Sequence, residues 1–176
     1  LTDIEIITMQ IVGEFLGMDT DKSIWMYFKN NWLAWFPKLG SYPNFCKHCA
    51  NLWQINQKII ARLTTYYGQD NIHFIDGFPI PVCRYSRAKR HKNFKEHAGF
   101  SYCAAQQEKY YGFKGHIVIN FDGMVTGYTF ALANVDERDI APEITTHIHG
   151  LLGADKGYLR PSLIEYYKFQ YVDLQI

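Results

Sequence analysis

The segment IHFIDGFPIP, residues 72–81, decides the fold because its apolar run ends abruptly on an acid. The β-branched and aromatic residues before Asp76 predict a short strand. Pro79 and Pro81 have no N–H to give to a strand ladder, so we expect residues 77–81 to form a loop. Asp76 would then be exposed at the carboxyl end of a strand, where open α/β sheets usually bind ligands.

A second segment, LLGAD at residues 151–155, has the same form and ends on Asp155. If the two predicted strands are neighbours, both carboxylates converge on one point. Converging carboxylates bind Mg²⁺ or Mn²⁺ through oxygen, and two such ions about 4 Å apart would support an in-line phosphodiester displacement. The alternative is that each Asp caps a loop or the following helix. Spacing alone favours that alternative.

The remaining pattern predicts an antiparallel strand pair followed by alternating helices and strands. The predicted strands cover residues 115–121, 124–134 and 171–176, with a hairpin at Asp122-Gly123, and the predicted helices cover 136–149 and 160–169. This order is similar to that of the RNase H-like fold. We therefore predict an α/β (α+β) fold over residues 70–176, with an incomplete mixed sheet flanked by helices.

The first 69 residues predict a separate N-terminal helical bundle. Thr2 and Glu5 fit a capping box, and Gly17 stands where the first helix would end. A second helix is expected from about Thr20 to Pro37. A third is expected to run without interruption from about residue 42 to residue 67.

Composition excludes several classes of protein. Of the 176 residues, 48% are hydrophobic and 20% are charged, which is typical of a packed globular chain. There is no apolar run long enough to span a membrane, and the first residues do not resemble a signal peptide. The four cysteines are therefore interpreted as reduced thiols, and a cytoplasmic, nucleoid-associated location in a bacterium is expected, without membrane partners.

Basic residues are concentrated in one segment although the net charge is only +1. The segment 84–95 contains six of the 18 Lys and Arg residues and no acid; they are Arg84, Arg87, Lys89, Arg90, Lys92 and Lys95. Because the segment follows Asp76 closely, we expect it at the rim of the site, bound to the DNA backbone. Aromatic residues interleaved with it would stack on unpaired bases; they are Tyr85, Phe94, Phe100 and Tyr102. A solvated loop is the alternative.

Four segments in order resemble the DDE transposases of bacterial insertion sequences. They are IDGFPIPVCR (75–84), YYGFKGH (110–116), NVDERD (134–139) and ADKGY (154–158). The resemblance implies that Asp76 and Asp155 are catalytic and hold two Mg²⁺ or Mn²⁺ ions. It also implies that DNA, both the terminal repeats of the element and the target, is the partner. Lys114, His116 and Lys156 are further candidates for phosphate or leaving-oxygen contact.

The chain departs from this family in one respect. A third catalytic acid, a Glu after the fifth strand, is expected within a segment Tyr-x-x-Arg-x-x-x-Glu, and no such segment is present. We expect Glu165 to be a solvated helix residue rather than that acid. The chain is therefore expected to be truncated and inactive in cleavage, and its unpaired last strand is expected to promote self-association.

Other interpretations remain open. One alternative is a non-catalytic, DNA-binding or regulatory transposase remnant, and another is a stand-alone nuclease that takes its third carboxylate from another position. Asp136 and Asp139 are expected to cap a helix, with a supporting role for Asp136 beside the metal site as the alternative. Cys46 and Cys49 supply only two of the four ligands that a structural zinc site needs, so zinc is not expected.

Overall fold

The computed structural model describes residues 1–92, 94–104 and 106–176. The chain divides into two compact units, Leu1–Ala61 and Arg62–Ile176. The predicted domain boundary between residues 69 and 70 stays a prediction. No helix among the described residues is long and apolar enough to cross a membrane.

The first unit is built from helices. They are α1 (Asp3–Phe15), α2 (Asp21–Asn31), α3 (Tyr42–Asn51) and α4 (Trp53–Tyr67), the last of which continues into the second unit. The capping box of α1 is confirmed, since the Thr2 hydroxyl accepts from the Glu5 N–H and the Glu5 carboxylate accepts from the Thr2 N–H. The single long helix predicted over 42–67 is wrong, because the chain leaves helical geometry at Leu52. Leu52 is buried in the core of this unit.

One mixed sheet of six strands forms the second unit within the described residues. The strands are β1 (Ile72–Arg84), β2 (Gly99–Cys103), β3 (Glu108–Asn120), β4 (Val125–Leu132), β5 (Gly150–Ala154) and β6 (Val172–Gln175). The strand order is β2-β3-β1-β5-β6, and β4 also pairs with β3. β1 is antiparallel to β3 and parallel to β5. The predicted α+β class with preceding helices is confirmed.

The loop predicted at residues 77–81 is wrong. β1 continues through both prolines as far as Arg84, with Pro79 opposite Lys114 of β3. β5 pairs with β1 only as far as Ile75, so beyond that residue β1 is bonded on one side only. A proline on such a free edge costs no ladder bond, and the register also shifts after Pro81.

β2 was not predicted from the sequence, and β3 starts seven residues earlier than predicted. β2 pairs with the first part of β3, from Glu108 to Gly112, while β4 pairs with the part from Phe113 onward. The two short strands therefore lie end to end along the same side of β3. The five residues of β2 are too few for periodicity to identify them beside a basic loop.

Two helices complete the unit, α5 (Glu137–Ile144) and α6 (Pro161–Phe169). Their buried residues share one core with Ile75 of β1 and Val118 of β3, which lie opposite each other in the sheet. α5 ends five residues before the predicted end, at Ile144. α5, the part of β1 around Ile75 and β5 therefore pack around the same core.

Candidate active site

Asp76 lies within β1 and Asp155 directly follows β5, at matching positions of these two neighbouring strands. β1 and β5 run parallel, and Ile75 lies opposite Ala154. The next residue on each strand is therefore an aspartate, at the edge where the paired part of the two strands ends. Adjacent strands are about 4.8 Å apart, so the two acids are side by side. The sequence predicted this adjacency.

Local hydrogen bonds hold both carboxylates. The Gly77 N–H donates to Asp76 Oδ1 over 2.7 Å. The Gly157 N–H donates to Asp155 Oδ1, also over 2.7 Å, and Asp155 thereby caps the short 3-10 turn 156–158. Both acids are exposed. The capping alternative is thus present at Asp155, but each carboxylate keeps one oxygen without a protein donor in the part of the chain that the structure describes.

A third carboxylate, that of Glu137, lies beside the same two loops. A Cβ added to Gly77 would meet the Glu137 carboxyl at 3.3 Å, and one added to Gly157 would meet Glu137 Oε2 at 3.2 Å and Asp155 Oδ1 at 2.8 Å. Glu137 is the first residue of α5. The two glycines therefore leave space that this carboxylate occupies, between the residue after Asp76 and the turn after Asp155.

Lys114 of β3 forms an ion pair with Glu137. Its Nζ lies 2.8 Å from Glu137 Oε1, and the two side chains are only 19% and 24% exposed. A pair this sheltered is screened less by solvent than a surface pair. The ammonium of Lys114 is therefore a fixed positive charge beside the acidic residues.

Two buried polar side chains next to the acids have no hydrogen-bond partner among the residues that the structure describes. The Tyr158 hydroxyl and both ring nitrogens of His116 are buried and unbonded, with each residue 1% exposed. Burial raises the pKa of Tyr158 strongly, and the charges of Glu137, Asp76 and Asp155 raise it further, in that order. Tyr158 is therefore buried within electrostatic range of the three carboxylates.

His116 is neutral at physiological pH. Burial lowers the pKa of its ring, against an opposing effect of Glu137. Its Nδ1 would lie 3.5 Å from a Cβ at Gly77, close to the Glu137 carboxyl. A buried neutral ring does not attract phosphate, so the DNA surface proposed below omits His116.

The donor set suits a hard divalent cation although it is not assembled around one. Among the residues that the structure describes, no three acidic, histidine or cysteine side chains are close enough to hold one ion together. The carboxylates of Asp76 and Asp155 are bonded to backbone N–H groups and that of Glu137 to Lys114. Oxygen donors are what Mg²⁺ and Mn²⁺ select. Each local bond to a charged carboxylate contributes about 1.5–3 kcal/mol net, which a bound ion would have to offset.

An ion-pair network fixes the start of α5 on its other side. Asp136 caps the helix through the Arg138 N–H and also accepts from the Arg138 and Arg160 guanidinium groups. The side-chain bond from Arg138 is the main reason that the pKa of Asp136 lies far below its usual range. Arg160 also donates to Asp139. Asp136 therefore caps α5, as the sequence predicted. Its bonds to the two arginines fix the backbone directly before Glu137.

The sequence suggested that the basic segment begins at the rim of the site. In the structure it begins farther away. Because β1 continues past the prolines, Arg84 lies eight residues beyond Asp76 on the same strand, or roughly 26 Å at about 3.3 Å per residue. Residues 85–90 then form a 3-10 helix with exposed Arg87, Lys89 and Arg90. The chain next turns back, since the Phe94 ring contacts the Phe113 ring at 5.4 Å.

Exposed aromatic rings accompany these basic residues. Tyr85 contacts Phe100 at 5.6 Å, and Phe100 contacts Tyr111 at 4.7 Å. Tyr85, Phe100 and Tyr102 are each about half exposed. Aromatic rings that are held by neighbouring rings and remain half exposed suit stacking on nucleic-acid bases.

The cysteines give no indication of zinc. All four are free thiols, and burial raises the pKa of Cys49 to about 11. A zinc ligand must be a thiolate, which that burial opposes. His48, between the two cysteines of α3, bonds instead to Asp3 over 2.8 Å.

The comparison with family models identifies the class of protein. The model described as "Transposase DDE domain" matches residues 67–175. This range includes Asp76, Glu137 and Asp155, so the site lies wholly inside the match. The chain belongs to this family of DDE transposases. It matches no curated protein and no solved structure.

Proposed function

We propose that this chain is the catalytic part of a DNA transposase of an insertion sequence, with Asp76 and Asp155 as metal-binding catalytic residues. The observation that carries the proposal is the parallel register of β1 and β5, in which Ile75 lies opposite Ala154 and the two acids follow side by side. Membership of the DDE transposase family supports the same role. The oxygen donors suit Mg²⁺ or Mn²⁺.

Divalent ions bound there would stabilise the attacking and leaving oxygens of an in-line phosphodiester transfer. The protein positions the two acids through β1 and β5 and holds their carboxylates open to solvent. Lys114, which pairs with Glu137 beside the acids, and Lys156, which is exposed directly after Asp155, would offset phosphate charge. The exposed basic residues of segment 84–95 would hold the DNA backbone, and Tyr85, Phe100 and Tyr102 would stack on unpaired bases.

We further propose that these 176 residues alone cleave DNA weakly or not at all. No segment of the pattern Tyr-x-x-Arg-x-x-x-Glu occurs among them. Glu165, on α6, is exposed and has no recorded bond to the acidic residues. The alternative function is a DNA-binding or regulatory transposase remnant, which the basic segment would support equally.

Self-association is part of the proposal. β4 is bonded to β3 and, among the described residues, to no second strand. Its side chains Tyr128, Phe130 and Leu132 are 38%, 62% and 38% exposed. An edge strand with exposed apolar residues favours pairing with another chain, and a monodisperse monomer in sedimentation velocity would contradict this.

The test of the proposed function measures Mn²⁺ binding and DNA binding separately from cleavage. Asp76→Asn and Asp155→Asn should each weaken Mn²⁺ binding at least tenfold and leave duplex affinity in metal-free buffer unchanged or higher. The matched control is Asp122→Asn, an exposed hairpin aspartate, which should leave both constants unchanged. Equal Mn²⁺ affinity in all four proteins would overturn the metal site. Metal-dependent cleavage by the wild-type chain would overturn its proposed inactivity.

A further inference from the structure

A cleft lies at the far end of β1, where that strand leaves the sheet. Its volume is about 390 Å³, and the residues that line it include Arg84, Tyr85, Lys109 and Tyr110. Pockets of about 300–1,000 Å³ enclose one small ligand, so this Arg84 cleft has room for a single nucleotide but not for a double helix. Lys109 and Tyr110 belong to β3 and lie outside the basic segment 84–95.

We infer that the Arg84 cleft binds one unpaired nucleotide of a DNA strand, with cations for the phosphate and an aromatic ring for the base. This inference rests on the proposed function, because it takes DNA as the partner. It deepens that function by naming the form of DNA that this part of the chain recognises, which is a duplex with a single-stranded extension.

Two cations line the cleft, and neither is neutralised by an ion pair. Arg84 and Lys109 are exposed, and neither takes part in an ion pair in the part of the chain that the structure describes. Glu108 is the only acid among the described residues that line the cleft, so two positive charges stand there against one negative charge. Arginine binds phosphate through paired N–H groups, which suits Arg84 to one phosphate of a strand.

The Tyr85 ring offers a free face to a base. It contacts the Phe100 ring at 5.6 Å, with 74° between the two ring planes, and it is 46% exposed. An edge-on contact of this kind leaves at least one face of the Tyr85 ring uncovered. Stacking on aromatic rings binds unpaired bases with little regard to their identity. We therefore expect the cleft to distinguish unpaired from paired bases more strongly than one base from another.

Tyr110 adds a hydroxyl that is available to a ligand. Tyr110 is 6% exposed and lies opposite Arg84 in the ladder of β1 and β3, so both side chains leave the sheet on the same face. Its hydroxyl bonds to no residue that the structure describes, and it is not sealed from solvent. A phenolic hydroxyl both donates and accepts hydrogen bonds, so it suits the phosphate, sugar or base of a nucleotide.

One wall of the cleft is rigid. Pro79 and Pro81 of β1 line it, and β5 pairs with β1 only as far as Ile75, well before these prolines. The proline ring fixes the backbone angle φ, so this wall needs no ordering when a ligand binds. A preformed site loses less conformational freedom on binding than a flexible one.

The experiment compares binding of the full 176-residue chain to a blunt duplex and to the same duplex with an oligothymidine extension of either polarity. Fluorescence anisotropy in metal-free buffer should show about tenfold tighter binding of one extended duplex. Tyr85→Ala should abolish this gain, and Lys109→Ala should lower it about threefold. The matched controls are Tyr171→Ala, at a residue that is 90% exposed, and Lys168→Ala, at an exposed residue of α6; both should keep the full gain.

A fluorescent base in the extension separates stacking from charge. The emission of 2-aminopurine should be quenched when wild type binds, and the quenching should be lost in Tyr85→Ala. Tyr110→Phe removes only the hydroxyl, so it should lower the gain about threefold while the quenching persists. If circular dichroism shows that Tyr85→Ala is misfolded, Tyr85→Leu takes its place, because leucine keeps apolar bulk without a flat ring.

The outcomes distinguish this inference from the proposed function. Equal affinity of wild type for blunt and extended duplexes would overturn the inference and leave duplex binding standing. If wild type binds neither duplex, both the inference and the proposed DNA binding fail. A gain that Lys109→Ala removes and Tyr85→Ala leaves intact would show a phosphate site alone, and that result also overturns the nucleotide cleft.

Discussion

The Arg160 guanidinium donates a hydrogen bond to the Asp136 carboxylate over 3.0 Å, although 24 residues separate them in the sequence. Arg160 directly precedes α6, and Asp136 directly precedes α5. The bond therefore joins the starts of two helices, and it does so next to Glu137.

Removing this link should destabilise the second unit moderately. Arg160→Ala breaks the bonds to Asp136 and Asp139 and should lower the free energy of unfolding by about 1 kcal/mol, since both groups are about a third exposed or more. Arg160→Lys should not restore it, because an ammonium cannot present two N–H groups as a planar fork. Urea unfolding measures the change. Lys168→Ala, an exposed change at the end of α6, is the control, and an equal loss in both variants would contradict the prediction.

Gly112 is required by the close approach of β1 and β3. A Cβ there would collide with the Ile80 carbonyl oxygen and lie 2.9 Å from the Val82 nitrogen, both backbone atoms. Gly112→Ala should therefore cost about 3 kcal/mol in unfolding free energy, as expected for an overpacked site. Gly123→Asn is the control, because Gly123 has open space and a φ of +81° that Asn tolerates; its cost should stay below about 1 kcal/mol. A smaller effect at Gly112 than at Gly123 would show that the strands can separate freely.

The basic segment should bind DNA through phosphates rather than bases. Arg87→Ala and Arg90→Ala should each weaken duplex binding about eightfold at 0.1 M salt, equally for all sequences, and lower the salt slope by about 0.9 if each residue neutralises one phosphate. Fluorescence anisotropy at several salt concentrations measures both quantities. Lys168→Ala, exposed but outside the segment, should leave the slope unchanged. An affinity loss confined to one DNA sequence would argue for base contact instead.

Tyr167 should make stability fall at alkaline pH. Burial raises its pKa to about 12, above about 10 in the unfolded chain. The neutral hydroxyl is favoured in the folded state, so its contribution is complete below pH 10 and is lost as pH rises toward 12. The unfolding free energy of wild type relative to Tyr167→Phe should fall by about 1 kcal/mol from pH 8 to pH 11, so that the variant becomes the more stable protein.

The control for that titration is Tyr171→Phe, since Tyr171 is 90% exposed. Its stability difference from wild type should be independent of pH over the same range. The Thr145 hydroxyl keeps its bond to the Ala141 carbonyl in Tyr167→Phe, so the cost at neutral pH should be small. A difference for Tyr167→Phe that stays constant to pH 11 would contradict the prediction.

Asp76 and Asp155 were identifiable because each terminates an apolar run, which is a local signal, although Asp76 lies within β1 and not at its end. Asp76 and Asp155 needed only the assumption that their strands are neighbours, which the register of β1 and β5 bears out. The extent of β1 was not predictable from its prolines. Whether a proline is tolerated depends on which side of the strand is bonded, and pairing is a tertiary property.

Glu137 was missed for a related reason. On the sequence, an acid in the first turn of a helix is explained by the helix dipole alone. Glu137 is 23 residues from Lys114 in the sequence and 60 residues from Gly77, so neither contact is local. The available signal was that the two glycines close after Asp76 and Asp155 left room for a third side chain, but a glycine after an aspartate equally suits a turn.

The length of β1 has a consequence for how DNA would be held. Asp76 and Arg84 are rigidly connected by eight residues of one strand, a separation of roughly 26 Å. At about 3.4 Å per nucleotide along one strand of a duplex, that distance covers about eight nucleotides. In a duplex bound at both residues, Arg84 would contact the backbone most of a helical turn away from the bond at Asp76. Nuclease protection on element ends should accordingly extend to one side of the cleavage position.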